Sequence, residues 1–282
     1  MIKQTRNMTR DLFELKGRVA IITGGGGLLG YHHASAIADF GGIPVLLDID
    51  GRALLTNSER LRLEFDDDFL TLEVDVTDFD SVVKARDKVL ERHHRIDILI
   101  NNAARNPKLD DGDNASFSRL ENFPADQWQK DLDVGLGGAF TCSRVFGGHM
   151  ASVGRGGVII NIASDLGIIA PDQRLYEVAG QANAAQPVKP VTYSVVKHGI
   201  LGLTKYLATY WCGQGIRCNA LSPGGVYTGQ EAIFVSKIAN LIPLGRMAKP
   251  DEYRGAIAFL CSDASSYMNG ANVIIDGGRS VW

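Results

Sequence analysis

Cysteine, surplus charge and long apolar runs are all scarce in this sequence of 282 residues, and each scarcity excludes a class of protein. The four cysteines have neither the spacing of metal ligands nor the density of a disulfide scaffold. We expect them to be small buried hydrophobic residues in a reducing compartment. The six histidines also lack metal spacing, so no metal site is predicted. The cysteines are Cys142, Cys212, Cys218 and Cys261.

The charge balance argues against polyanionic partners. The formal net charge is −3 and the basic residues are scattered, which disfavours nucleic acid or an anionic membrane as a partner. No apolar run approaches the length of a membrane span, and the charged first residues lack the apolar core of a secretory signal. We expect a cytoplasmic protein that acts on a small molecule.

Hydrophobic residues make up 45% of the chain, enough for one large domain with a substantial core. No linker rich in Pro, Gly or Ser, no low-complexity tract and no repeat divides the sequence. We predict a single domain over 1–282, with a leading segment at 1–15 and an inserted loop at 166–190.

Glycine is abundant, and its densest run follows a short apolar segment at 19–22. Thr23 and four consecutive glycines lead into a helical pattern that begins at about Leu28. A strand, a glycine turn and a helix together present backbone N–H groups and a helix N-terminus to a pyrophosphate. Gly24, Gly27 and Gly30 recur every third residue, which is close to the dinucleotide fingerprint but not identical to it.

A carboxylate follows at the distance expected for a ribose ligand. The apolar segment 43–47 ends in Asp48, which lies 48 − 30 = 18 residues beyond Gly30. A carboxylate there accepts hydrogen bonds from the ribose hydroxyls of NAD and repels the 2′-phosphate of NADP. The sequence therefore favours NAD.

Apolar strands alternate with helical patterns along the chain, and several strands end in glycine or a polar residue. Such alternation is typical of a parallel sheet covered on both faces, in which ligands bind beyond the carboxyl ends of the strands. We predict an α/β fold, a doubly wound Rossmann-type three-layer sandwich with a seven-stranded parallel sheet. The residues expected at that sheet edge are Gly24, Asp48, Asp75 and Asn101.

Tyr193 and Lys197 are four residues apart in a predicted helix, so they share one face. An ammonium group near a phenol favours the phenolate and lowers the phenol pKa towards neutrality, where the tyrosine can exchange a proton. The spacing alone is equally typical of a half-buried tyrosine beside a lysine that reaches for water.

Taken together, these motifs resemble the short-chain dehydrogenase/reductase family, in its single-domain branch, from about Lys16 to Gly278. Asn101-Asn102-Ala103, Ser164, Tyr193, Lys197 and Pro223-Gly224 follow the order of that family. The resemblance implies an NAD-dependent oxidoreductase with Tyr193 as general acid/base, Lys197 as its pKa-lowering partner and Ser164 as the hydrogen-bond donor to the substrate oxygen. The implied cofactor residues are Thr23, Gly24, Gly27, Leu28, Leu29, Gly30, Asp48, Ile49, Asp75, Val76, Asn101, Asn102, Ala103, Tyr193, Lys197, Pro223, Gly224, Val226 and Thr228.

Finer roles also follow from the resemblance. Asp75 is expected to meet the adenine and Asn101 the adenosine side, while Val226 and Thr228 are expected to meet the nicotinamide carboxamide. Members of the family often form dimers or tetramers, so we expect a homo-oligomer, with the C-terminal Trp282 as a candidate contact.

The sequence departs from the family pattern in three places. The middle fingerprint glycine is Gly27, where the single-domain branch usually has its glycine at the position of Leu28. Gly135 replaces an asparagine that completes the proton relay, so we expect a helix kink and a carbonyl that can hold a relay water. Ser164 and Tyr193 are 193 − 164 = 29 residues apart, because the loop 166–190 is inserted beside the substrate pocket.

The loops beside the reaction site are polar, which favours a polyhydroxylated and anionic substrate such as a sugar phosphate or nucleotide sugar. Arg105 and Arg174 are the candidate clamps for a phosphate or carboxylate, and Asp165 is a further candidate substrate contact.

The segment 166–177 and the chain after Leu244 also resemble dehydrogenase-like proteins of bacterial surface-sugar and flagellin-glycosylation pathways. The alternatives are a 3-oxoacyl-thioester reductase and a weakly catalytic NAD-binding sensor or assembly protein. Asn106 and Lys108 add to the polar loop after the fourth strand.

Overall fold

The structure is a computed structural model that describes residues 8–105 and 118–282. Its strands are β1 Val19–Thr23, β2 Ile43–Asp48, β3 Thr71–Glu73, β4 Ile98–Asn101, β5 Gly157–Ile162, β6 Ile216–Pro223 and β7 Asn272–Ile275. They form one parallel sheet in the order β3-β2-β1-β4-β5-β6-β7. The predicted doubly wound fold with seven parallel strands is confirmed.

Helices cover both faces of the sheet. They are α1 Leu28–Asp39, α2 Gly51–Phe65, α3 Phe79–His93, α4 Ala125–Leu132, α5 Gly138–Cys142, α6 Gly148–Val153, α7 Val191–Tyr210, α8 Ala232–Ala239 and α9 Arg254–Cys261. Every side chain of β1 is buried, because successive residues face opposite layers. Ala20 and Ile22 pack with α1 and α9, whereas Val19 and Ile21 pack with α3 and the end of α7. This two-sided burial explains why β1 reads as a continuous apolar run.

The helical segment between β4 and β5 departs twice from regular α-helical geometry. Two π-helical turns, Asp133–Gly137 and Ser143–Gly147, join α4, α5 and α6 into one continuous rod. A π turn widens the backbone locally and is a known cause of helix bending. The first of these turns contains Gly135, so the expected local distortion at this glycine is present.

The inserted loop 166–190 packs on the rest of the chain through short 3₁₀ turns. One of these, Gln173–Tyr176, places the buried Leu175 against Ile238 of α8 and against Met247. This contact positions the loop beside the carboxyl ends of β5 and β6.

Two further observations concern the expectations from composition. Cys142, Cys218 and Cys261 are buried, but Cys212 is exposed because it begins a surface turn after α7. The expectation that all four cysteines are buried is therefore wrong at Cys212. In the part of the chain that the structure describes, no helix is both long and apolar enough to cross a membrane.

Candidate active site

The glycine loop between β1 and α1 requires glycine where its backbone segments touch. A Cβ atom on Gly30 would lie 2.2 Å from the carbonyl oxygen of Gly24, and Gly24 itself has a φ of +66°. Neither position accepts a side chain without moving the backbone. The crowding at Gly27 is milder, with a Cβ atom placed 3.3 Å from the same oxygen. Gly27 is the N-cap of α1, and so the loop ends at the helix N-terminus that a pyrophosphate would meet.

Side chains from neighbouring elements hold this loop in place. The Asn102 amide donates to the carbonyl oxygens of Thr23 and Gly24 at 3.0 and 3.1 Å, and the Thr23 hydroxyl accepts from the backbone of Asn102 and Ala103. On the other side, the buried Asn57 of α2 donates to the carbonyl oxygens of Gly25 and Gly27. Asn57 has no sequence motif, so sequence reasoning missed it.

The carboxylate of Asp48 is oriented by the backbone. The Gly26 N–H donates to its Oδ2 at 2.9 Å and the Asp50 N–H donates to its Oδ1 at 3.1 Å. A carboxylate held in this way is ready to accept hydrogen bonds from a ligand without first losing side-chain freedom.

A cavity of about 520 Å³ opens at the carboxyl ends of β1, β2, β3 and β4. Several of the predicted cofactor residues line it, as does the predicted substrate residue Arg105. Asp75 is fixed at its rim, because its carboxylate accepts from the backbone and hydroxyl of Thr77. The predicted residues that line the cavity are Gly24, Asp48, Ile49, Asp75, Val76, Ala103 and Arg105.

Asn101 faces the interior of the protein rather than this cavity. Its amide donates to Ser143 in the second π turn and to Asn161 of β5, at 3.1 and 2.8 Å. The side chain is therefore engaged in joining β4 to β5 and the helical rod, and we correct the expectation that it contacts the adenosine.

Ser164, Tyr193 and Lys197 come together where β5 ends against α7. Ser164 is buried, and its side chain faces that of Tyr193. The Ser164 hydroxyl also donates to Asp165 Oδ1 at 2.8 Å, and Lys197 Nζ donates to the carbonyl oxygen of Ile162 at 2.8 Å. The three predicted catalytic side chains are thus assembled on two rigid elements.

Burial dominates the proton equilibria of this group. It raises the pKa of Tyr193 above the usual value, against the opposing effect of the Ser164 side chain, and the Asp165 carboxylate raises this pKa further. Burial also lowers the pKa of Lys197 to about 8, helped by the nearby Lys189 cation. The sequence predicts a lowered pKa for Tyr193, so the structure differs here. The reason is that burial, which disfavours the phenolate, outweighs the effect of Lys197, whose Nζ is directed at Ile162 and lies 5.8 Å from the centre of the tyrosine ring.

A second lysine lies closer to the tyrosine than Lys197 does. Lys189, the penultimate residue of the inserted loop, places its Nζ over the Tyr193 ring, 3.9 Å from the ring centre. No role was predicted for Lys189 from the sequence. Lys189 lies four residues before Tyr193, a spacing that places two residues on one face of a helix. Lys189 precedes the first residue of α7, however, so this helical spacing does not predict its position.

Asp165 is held inside the protein by the C-terminal segment. Arg279 Nη1 lies 2.8 Å from Asp165 Oδ2, and both side chains are almost completely buried. Asp165 Oδ1 meanwhile accepts from Ser164 and from the Leu166 N–H. Both carboxylate oxygens therefore have protein partners, and Asp165 orients Ser164 rather than presenting itself to a substrate.

Gly135 packs directly against Val196 of α7, and both residues line a small cavity. A Cβ atom on Gly135 would lie 2.5 Å from Val196 Cγ1, so the close approach of the rod to α7 requires glycine here. The cavity measures about 10 Å³, the space for the centre of one water molecule, and Tyr193 and Lys197 both line it. The buried Asp131 lines its far side and accepts from the Thr192 hydroxyl at 2.6 Å.

The two candidate arginine clamps occupy different environments. Arg105 lines both the large and the small cavity, with its Nε 3.6 Å from Asp131 Oδ1. Arg174 is 78% exposed and forms a two-point ion pair with Asp172, at 2.6 and 2.8 Å. The structure thus places Arg105 at the site and directs Arg174 to solvent. Asn106 and Lys108 lie outside the described residues.

Residues of the segment after β6 form hydrogen bonds with one another. Gln230 Oε1 accepts from the Thr228 N–H at 2.8 Å, and Gln230 Nε2 donates to the Val226 carbonyl at 2.9 Å. Gly224 packs so closely on Asp276 that a Cβ atom would lie 2.8 Å from the Asp276 Cα. A carboxamide ligand at Val226 and Thr228 would therefore replace the amide of Gln230.

Comparison with known proteins agrees with this geometry. D-threitol dehydrogenase of Mycolicibacterium smegmatis is 33% identical over 287 residues, covering 99% of each chain. The NAD-dependent glycerol dehydrogenase of Listeria innocua is 30% identical, covering 95% of this chain and 96% of its own. The crystal structure of a gluconate 5-dehydrogenase from Burkholderia cenocepacia J2315, in complex with NADP and tartrate, superposes with a TM-score of 0.82. That protein is 30% identical, over 98% of this chain and 100% of its own.

A family model described as enoyl-(acyl carrier protein) reductase matches residues 27–280. The relatives are alcohol, polyol and sugar-acid dehydrogenases, so this protein is an enzyme of the oxidoreductase class. Its relatives use nicotinamide cofactors, and the glycine loop and the oriented Asp48 fit such a cofactor. With the sheet order and the Ser164, Tyr193 and Lys197 group, these matches show that the chain belongs to the short-chain dehydrogenase/reductase family.

Proposed function

We propose that this enzyme is an NAD(H)-dependent dehydrogenase that interconverts a secondary alcohol and a ketone, with Tyr193 as its general acid/base. The observation that carries the proposal is the grouping of Ser164, Tyr193 and Lys197 where β5 ends against α7, next to a cavity that holds an oriented Asp48. A protein of this fold that had lost its catalytic activity would have no chemical need for this combination of side chains.

The residues divide the reaction among them. In the oxidative direction the Tyr193 phenolate takes the hydroxyl proton of the alcohol, while the Ser164 hydroxyl exchanges its hydrogen bond to Asp165 for one to the same oxygen and stabilises charge on it. Lys197 holds positive charge near the phenolate. The bound nicotinamide supplies the hydride chemistry. Protons then leave through Lys197 and the small cavity at Gly135, which has room for one water.

Charge around the ribose position supports NAD over NADP. Asp48, Asp50 and Glu73 line the cavity and its neighbour, and among the described lining residues of that neighbour only Arg52 carries a positive charge. A 2′-phosphate would meet repulsion from these carboxylates. The relatives include both an NAD-dependent enzyme and a structure that contains NADP, so the preference of this chain has to be measured.

We infer a polar polyhydroxylated substrate. The names of the relatives, which act on threitol, glycerol and gluconate, favour an open-chain polyol or sugar acid within that class. Arg105 is the residue placed to meet an anionic group, because Arg174 is paired with Asp172. The narrower resemblance to surface-sugar enzymes, the cytoplasmic location, the homo-oligomer and the single-domain organisation stay predictions from the sequence.

The test is a cofactor-reduction assay with NAD and NADP against polyols, sugar acids, sugar phosphates, nucleotide sugars and a 3-hydroxyacyl thioester. Tyr193→Phe is measured beside the wild type. We expect NAD-linked turnover with a polyol or sugar acid and a loss of at least about 100-fold in Tyr193→Phe, the scale of general acid/base catalysis. Turnover of the thioester alone would favour the 3-oxoacyl-thioester reductase. Cofactor binding without turnover of any compound would favour the sensor.

A further inference from the structure

The side chain of Lys189 makes closer contact with the Tyr193 ring than any other cation of the described site. Its Nζ lies 3.9 Å from the ring centre, against 5.8 Å for Lys197 Nζ. The backbone around it is fixed, because the Lys189 N–H donates to Gln173 Oε1 at 2.8 Å and Pro190 follows directly as the N-cap of α7. The inserted loop thus places the ammonium group against the face of the Tyr193 ring.

A cation over an aromatic ring is attracted by the negative face of the ring, and the attraction grows when the ring carries a charge. Loss of the phenol proton turns the ring of Tyr193 into an anion whose charge is delocalised onto its carbon atoms. An ammonium 3.9 Å from the ring centre therefore favours the phenolate over the phenol. This effect needs no contact between Lys189 and the phenol oxygen.

Lys189 and Lys197 are the cations that contact the Tyr193 ring in the described site, and other charged and polar groups surround them. Ser164 and Asp165 face the tyrosine from the end of β5, Tyr176 from the inserted loop, and Lys197 from its own helix. Arg105 and Asp131 face it across the small cavity. Asp165 opposes ionisation of Tyr193, but its charge is paired with Arg279 at 2.8 Å. Burial lowers the pKa of Lys189 to about 8, which still leaves it a cation at neutral pH.

We propose that Lys189 is a positioning residue that stabilises the ionised form of Tyr193 through the face of its ring, beside the familiar role of Lys197. The inserted loop then contributes to the chemistry as well as to the shape of the substrate pocket. This inference rests on the proposed role of Tyr193 as acid/base.

The experiment measures the pH dependence of kcat/KM for alcohol oxidation in the wild type, Lys189→Met, Lys189→Gln and Lys189→Arg. The rate rises with pH as Tyr193 ionises, and Lys189 favours that ionisation while it is itself charged, below about pH 8, so loss of the cation is expected to move this part of the profile up by about one pH unit. Below the midpoint this corresponds to about tenfold slower oxidation, whereas the rate at high pH is little changed. Arginine keeps the charge and is expected to restore the wild-type midpoint.

A second readout does not depend on turnover. The near-ultraviolet absorbance of the phenolate is titrated in each variant, and the same titration in a Tyr193→Phe background is subtracted to isolate Tyr193. The isolated titration is expected to move upward in Lys189→Met and Lys189→Gln. Unchanged midpoints in both neutral variants would overturn the inference, as would equal losses in the methionine and arginine variants. Full activity of Tyr193→Phe would instead refute the proposed function, and the absorbance titration distinguishes that result from a failure at Lys189.

Discussion

The carboxylate of Asp48 has little freedom to move, since a backbone N–H holds each of its oxygens. It is therefore oriented before any ribose arrives, and little side-chain entropy is lost on binding. Under the proposed preference for NAD, removal of this carboxylate has a clear expected effect.

We expect Asp48→Ser to raise the KM for NAD by about tenfold or more, because two charge-assisted hydrogen bonds to the ribose are lost. The same change is expected to lower the KM for NADP, since less negative charge faces the 2′-phosphate. Asp50→Ser is the matched control, because it removes a neighbouring charge while serine still caps α2. Kinetics with both cofactors in all three proteins checks this. A wild type that prefers NADP would contradict the assignment.

At the scale of elements, the helical rod and α7 approach each other through Gly135 and Val196. The π turn at Asp133–Gly137 brings the backbone close, and the missing Cβ atom lets the two helices meet. The asparagine that the family uses here cannot be accommodated without moving Val196. The absence of the relay asparagine and the close packing are therefore two aspects of one contact.

We expect Gly135→Asn to lower the free energy of unfolding by about 1–3 kcal/mol, the usual cost of an overpacked interface. In Gly135→Asn/Val196→Ala the overlap is removed, and the two losses are expected to be less than additive. Val196→Ala alone is the matched control. Denaturant unfolding measures the stabilities, and turnover of the double variant shows whether a relay asparagine increases the rate. Strict additivity would show that the two side chains do not meet.

The local features of the nucleotide half could be predicted because they depend on short sequence separations. The glycine loop, Asp48 and the alternation of parallel strands with helices follow from spacing within consecutive strand and helix units. The positions of Lys189 and Asn101 were not predicted, because they depend on contacts between residues far apart in the sequence or on irregular backbone. Whether Asn101 faces the cavity or Asn161 depends on contacts with distant elements, and the position of Lys189 depends on the path of an irregular loop.

At the scale of the whole molecule, the ion pair between Asp165 and Arg279 joins two points 114 residues apart. It connects the last turn of the chain to the residue that holds the hydroxyl of Ser164. No periodicity or motif links these positions, and the sequence suggested a substrate role for Asp165 and an intersubunit role for the tail. The structure shows that Arg279 turns inward, while Trp282 stays 75% exposed.

We expect Arg279→Met to destabilise the protein by about 3–5 kcal/mol, because it leaves the Asp165 carboxylate buried without its partner. Asp165→Asn/Arg279→Met removes both charges and is expected to recover a large part of that loss. Arg246→Met is the control, since it breaks an exposed ion pair with Glu252 and should cost about 1 kcal/mol or less. Denaturant unfolding of the four proteins checks these values. Equal costs for the two single arginine variants would show that burial does not matter.

The contact between Gly135 and Val196 also constrains the order in which this protein can change during evolution. A side chain gained first at position 135 meets Val196 at overlapping distance, whereas a smaller residue gained first at position 196 leaves only a cavity. If position 196 changes first, the single variant therefore folds without overlap. If position 135 changes first, the single variant is strained. Single-site mutational scanning would score position 135 as intolerant, and only a library that varies both positions would show the side chains it can accept.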